Sequence, residues 1–178
     1  MAEPSAGGAG RDVVLITGSS GFIGSALIRK LSERYRVVAL DRPGPPDPPP
    51  PAEVIDFDLG SDEEVTEALA QVRRVAGGRI ASVIHLAAYY DVSGDPNPLY
   101  DKVTVQGSRR LIDALQDFEV EQFVFASSML VHKPTSSPDE RVSENSPIEP
   151  SWPYPESKVR TEELLRDRRG AIPVVFLR

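Results

Sequence analysis

Residues 12–24 read DVVLITGSSGFIG, and the change of pattern within them decides the fold. Asp12–Thr17 is an apolar run rich in β-branched side chains, the composition of a strand buried on both faces of a parallel sheet. Thr17–Gly24 then places glycine at 18, 21 and 24. A strand that enters a helix this way uses one glycine for the tight turn. A second lets the backbone approach a ligand, and a third lets the helix pack on the strand. The first N–H groups of that helix have no acceptor within it, and the helix dipole adds positive potential, so the turn suits a phosphate-type anion. A glycine triplet alone is a weak signal. The strand before it and the helical pattern after it supply the required context.

The alternation continues outward. Phe22, Ile23, Ala26, Leu27 and Leu31 recur at helical spacing, with Arg29, Lys30 and Glu33 on the other side. Arg36–Asp41 (RVVALD) is a second apolar run ending in an acid. Residues 43–51 (PGPPDPPPP) are expected to form a stiff exposed loop of polyproline character, because proline fixes φ and lacks a donor. Further strands are expected at 53–58, 82–87, 122–127 and 173–177. Between them stand a helix capped by Ser61 with Glu64 three residues on, a helix over 103–118 and a charged helix over 154–169. Strand–helix alternation without an internal repeat predicts an α/β fold, a doubly wound parallel sheet with ligands at the carboxyl ends of its strands.

The bulk numbers agree with one globular domain over residues 12–178: 178 residues, 40% hydrophobic and 26% charged. Residues 1–11 (MAEPSAGGAGR) lack the apolar run of a signal peptide and are expected to be a disordered tail. The formal net charge of -7 argues against a nucleic-acid partner. No stretch reaches the ~18 apolar residues of a membrane span. The chain has no cysteine and only two histidines, so neither a disulfide framework nor a metal site is expected, and a cytoplasmic location fits. A small-molecule substrate is the expected partner, and a homodimer is compatible with this fold class.

Asp41 ends the second strand, where a carboxylate can accept hydrogen bonds from the adenosine ribose of a dinucleotide. It would repel a 2′-phosphate, so NAD is favoured over NADP. Arg42 argues the other way, because a guanidinium there could pair with that phosphate. Further on, Tyr154 and Lys158 stand four apart and share one helix face. A tyrosine is a poor base near neutral pH, and a nearby ammonium stabilises its phenolate. Ser127 and Ser128 end the fifth strand, where a hydroxyl can hold a substrate oxygen while the tyrosine moves its proton.

The segments TGSSGFIG (17–24), Asp41, Asp58-Leu59, HLAA (85–88), FASS (125–128) and YPESK (154–158) together resemble the extended short-chain dehydrogenase/reductases, the NAD-dependent epimerase/dehydratase group, from about Val13 to the C-terminus. The resemblance implies a Rossmann-type NAD(P)-binding domain. It assigns the pyrophosphate to Gly18, Gly21 and Gly24 with the amides of Phe22 and Ile23, and the adenosine ribose to Asp41 beside Arg42. Asp58 and Leu59 would flank the adenine, with Leu86, Ala87 and Ala88 beside the cofactor. Ser128, Tyr154 and Lys158 would be catalytic, Tyr154 as acid/base and Lys158 as a ligand of the nicotinamide ribose, with Tyr154 also touching the cofactor. His85 is expected to be structural, with Met129 and Leu130 packing around the site.

Three departures from that family stand out. Thr104 occupies the place where relatives often carry asparagine, ahead of Gly107-Ser108. The serine strand leads into Val131-His132-Lys133 instead of Val-Tyr-Gly, with His132 expected to be an exposed loop residue. The chain also stops at Arg178, where family members continue into a substrate-binding C-terminal region. The expected activity is an NAD-dependent oxidoreductase or epimerase acting on a hydroxylated substrate such as a nucleotide-sugar. The alternative is a non-catalytic NAD(P)-binding module serving as a redox-sensing or interaction protein.

Overall fold

The computed structural model describes residues 10–44, 51–91 and 93–178. The tail reading falls mostly, and the polyproline reading largely, outside the described residues. The chain runs through β1 (Val13–Thr17), α1 (Phe22–Leu31), β2 (Arg36–Asp41), β3 (Glu53–Asp56), α2 (Asp62–Ala76), β4 (Arg79–Ile80) and β5 (Ser82–His85). A π-helical turn (Tyr100–Val105) leads into α3 (Gln106–Ala114). Then follow β6 (Glu119–Val120), β7 (Phe123–Ala126), α4 (Pro153–Arg168) and β8 (Val174–Leu177). Six strands form one sheet in the order β3-β2-β1-β5-β7-β8, and every pairing is parallel. The strand order reverses direction beside β1, which leaves a crevice at the carboxyl ends of β1 and β5.

β1 is wholly buried because it serves two cores at once. Val13 and Leu15 face α2, α3 and α4, together with Val65, Leu69, Leu111, Ile112 and Leu165. Val14 and Ile16 face α1 through Ile28. This alternation is why the run reads as continuously apolar. Ser61 caps α2 as expected, its hydroxyl accepting from Glu64 N at 3.2 Å. Among the described residues no helix is long and apolar enough to cross a membrane.

Several expectations need correction. The strands expected at 53–58 and 82–87 end at Asp56 and His85: Phe57 N and Leu86 N make one more bond each, to Asp41 O at 2.8 Å and Thr17 O at 3.2 Å, and the chain then lines the cleft. The helix expected over 103–118 is composite: it begins at Tyr100 as a π turn and closes with a 3₁₀ turn over Leu115–Asp117. The short pair β4–β6 was not foreseen, since two residues show no periodicity. The buried face of α1 is Gly24 and Ile28, flanked by Leu27 and Leu31. Phe22 and Ile23 stand 92% and 59% exposed, so they lie off the apolar stripe.

Candidate active site

Gly18 adopts φ +69, and a side chain there would press to 2.8 Å on the amide nitrogen of Ala87. A methyl on Gly24 would overlap the Gly18 carbonyl and come within 2.7 Å of Ser19 Cα. The turn therefore folds this tightly only with glycine at both places. It is pinned from both sides: Gly18 N donates to Leu40 O at 3.0 Å, and Leu86 N to Thr17 O at 3.2 Å. Gly21 caps α1 and offers no side chain to the first amides of the helix.

A cleft of about 560 Å³ opens in front of this turn. Gly18, Gly21, Asp41, Arg42, Asp58, Leu59, Leu86, Ala87 and Ala88 all line it, so nine residues singled out in the sequence converge on one surface. Phe22, Ile23 and Gly24 do not line it; they start the helix beside it. Sequence reasoning missed Ser20, Phe57, Gly60, Tyr89, Tyr90 and Lys102, which line the same cleft. The Asp41 carboxylate is oriented by the turn itself. Oδ2 accepts from Ser20 N at 2.8 Å and Ser20 Oγ at 2.7 Å, and Oδ1 accepts from Arg42 N at 2.8 Å. Asp58 Oδ1 accepts from Gly60 N at 2.7 Å, which holds the next turn of the wall.

His85 is fully buried beneath the cleft and bridges two elements. Ser108 Oγ donates its proton to Thr104 O at 2.6 Å, so it must accept from His85 Nε2 at 2.8 Å. Nδ1 then carries no proton and accepts from Thr17 Oγ1 at 2.7 Å. Burial, with Lys158 adding to it, holds this imidazole down at about 3, so it is neutral. Thr104, in the place of the family's asparagine, is buried, and its hydroxyl accepts from Tyr89 N at 3.0 Å.

Ser128, Tyr154 and Lys158 gather at the carboxyl end of β7. Lys158 is 2% exposed and donates to Ala126 O at 2.8 Å; burial pulls its ammonium down to about 8. Its Nζ lies 5.7 Å from the centre of the Tyr154 ring. Burial pushes the Tyr154 phenol above its ordinary value and Tyr90 adds to this, while the Ser128 hydroxyl opposes it. The Tyr90 ring meets Tyr154 edge-on at 4.8 Å and also lines the cleft, so the two groups of residues adjoin. One turn beyond Lys158, the buried Glu162 carboxylate accepts from Ser127 Oγ at 2.6 Å, Arg178 Nη2 at 2.6 Å and Arg166 Nη2 at 2.8 Å. Burial would raise this carboxyl, but bonds from Arg178, Ser127 and Arg166 outweigh it and the net shift is downward. Lys158 and Glu162 thus latch α4 to the ends of β7 and β8.

Two expectations fail here. His132 is buried, with Nδ1 at 3.0 Å from Ser146 O, because the chain folds back and Ile148 bridges to it. Met129 and Leu130 are 64% and 50% exposed: the 3₁₀ turn after Ser128 buries Val131 and turns its two predecessors outward.

Over residues 14–178 the sequence matches the NAD dependent epimerase/dehydratase family. A putative UDP-glucose 4-epimerase of Methanocaldococcus jannaschii is 32% identical over 162 residues, covering 86% of this chain and 50% of that protein. The 3 beta-hydroxysteroid dehydrogenase type 7 of Mus musculus is 33% identical over 176 residues, covering 89% and 45%. Among solved structures, the UDP-glucose 4-epimerase of Thermus thermophilus in complex with NAD superposes with a TM-score of 0.79 at 30% identity, covering 93% of this chain and 54% of that one. The chain spans about half the length of the relatives it matches.

Proposed function

This chain belongs to the NAD-dependent epimerase/dehydratase family, and from that premise we propose that it binds NAD and moves a proton at a substrate carbinol, as part of an oxidoreductase or epimerase. The observation that carries this reading is the junction of two surfaces. The glycine turn and Asp41 line one cleft, and Tyr90 of that cleft meets Tyr154 edge-on beside Ser128. The residues fit the dinucleotide: the tight turn excludes side chains where a pyrophosphate must approach, and Asp41 is preset to face ribose hydroxyls.

When bound, NAD accepts or returns hydride, and its cationic ring favours the phenolate that burial disfavours. The remaining work falls to side chains of this chain. Ser128 donates a hydrogen bond to the substrate oxygen. Tyr154 takes the proton from that oxygen or returns it. Lys158 fixes the ribose edge and adds positive potential near the phenol. An epimerase relative makes a nucleotide-sugar one substrate class to consider, and a steroid dehydrogenase relative makes an apolar alcohol another.

A second reading, an NAD-binding module without catalysis, has one observation in its favour: the Lys158 ammonium is engaged by the Ala126 carbonyl. One experiment separates the two. Wild-type protein given NAD and a panel of secondary alcohols should either produce NADH or invert the carbinol centre with no net change in NAD. Tyr154→Phe should do neither while keeping its NAD affinity. NAD binding with neither NADH nor inversion from any alcohol would favour the module, and loss of turnover and NAD affinity together in Tyr154→Phe would mark a structural tyrosine.

A further inference from the structure

We propose that Ser20 sets the cofactor preference of the cleft: by clamping the Asp41 carboxylate it decides between that acid and Arg42, and the site then rejects an adenosine ribose bearing a 2′-phosphate. This rests on the reading of the Thr17–Gly24 turn and Asp41 as the dinucleotide site.

Asp41 and Arg42 stand side by side on the cleft wall and act in opposite directions. The carboxylate accepts from ribose hydroxyls and repels a phosphate, whereas the exposed Arg42 attracts one. The balance turns on whether the carboxylate can swing aside. Ser20 opposes that with two donors, its N–H to Asp41 Oδ2 at 2.8 Å and its hydroxyl to the same oxygen at 2.7 Å. Arg42 N holds Oδ1 at 2.8 Å. A carboxylate offers about four lone-pair sites, and these three bonds leave about one for the ligand. A ribose hydroxyl can donate to it. A phosphate ester, largely dianionic near neutral pH, has no proton to give and adds repulsion.

Both ends of the clamp are fixed. Gly18 N donates to Leu40 O at 3.0 Å, which ties the turn to the residue before Asp41. Ser25 Oγ, from the first turn of α1, donates to Ser20 O at 3.3 Å. The one proton of the Ser20 hydroxyl goes to Asp41, so that hydroxyl does not donate to a pyrophosphate. Ser20 therefore acts through Asp41, as a positioning residue.

The test is a double-mutant cycle on selectivity. Calorimetry, with NADP competing against NAD, gives the ratio of the NADP Kd to the NAD Kd for wild type, Ser20→Ala, Asp41→Ala and the double variant. Wild type should favour NAD. Ser20→Ala should lower the ratio about tenfold, the worth of one hydrogen bond to a charged group. The double variant should match Asp41→Ala. A serine that only shapes the turn would weaken both dinucleotides alike, and an unchanged ratio in Ser20→Ala would overturn the proposal. So would a wild type that takes NADP as tightly as NAD, or a further fall from Ser20→Ala once Asp41 is alanine. A folded wild type that takes up neither dinucleotide would instead count against the cofactor reading.

Discussion

Asp41 shows what one side chain does here. Its two oxygens are fixed by Ser20 and Arg42 before any ligand arrives, which spares the ordering cost on binding. Hydrogen bonds to a charged group are worth ~1.5–3 kcal/mol. Asp41→Ala should therefore weaken NAD binding by about tenfold to a hundredfold, read by titration calorimetry, with little change in NADP binding. Asp41 was legible because it ends an apolar strand in an acid. Ser20 was not, because its part depends on a contact across 21 positions. His132 was misread for the same reason. Its burial comes from Ser146 and Ile148, and nothing in Val131-His132-Lys133 announces that.

At the level of elements, α4 carries two functions on one face. Tyr154 and Lys158 belong to the proposed chemistry, and Glu162 ties the same helix to Ser127 and Arg178. Arg178 and Arg166 both reach water, so removing Glu162 costs its hydrogen bonds to charged groups, about 1.5–3 kcal/mol. Glu162→Ala should lower stability by that order in urea unfolding, and Glu162→Gln, which keeps hydrogen-bonding atoms, should cost less. The glycine turn, β1 and β2 were readable because pattern and geometry coincide there: each needs a particular residue type at each place. Strand ends and the π turn were not. Phe57 N still bonds Asp41 O while its neighbours line the cleft, and the π turn carries Thr104 to Tyr89 N, a contact across 15 positions.

Across the whole molecule, helix cover is uneven. α2, α3 and α4 pack one face of the sheet, while α1 covers the other face over β1 and β2. At the β8 edge, Val175 and Leu177 are 40% and 57% exposed. The larger core is anchored by a buried neutral histidine, which makes stability depend on pH. His85 titrates at about 3 when folded and near 6.5 when free, so the unfolded chain binds the extra proton between those values. Its contribution is complete above about pH 6.5 and is lost as pH falls toward 3. Lys158, down at about 8, carries an ammonium in both states below that and adds no slope there. The Glu162 carboxyl acts only below the ordinary carboxylate range. Urea midpoints should therefore fall from pH 7 to pH 5, and His85→Gln should flatten that fall. An equal slope in the variant would move the titration elsewhere.

The central claim is that the Thr17–Gly24 turn and Asp41 form a dinucleotide site. Titration of the folded chain with NAD in a calorimeter tests it most directly. Saturable uptake of one NAD per chain, weakened in Asp41→Ala, is the predicted result; a folded chain that takes up neither NAD nor NADP would contradict it.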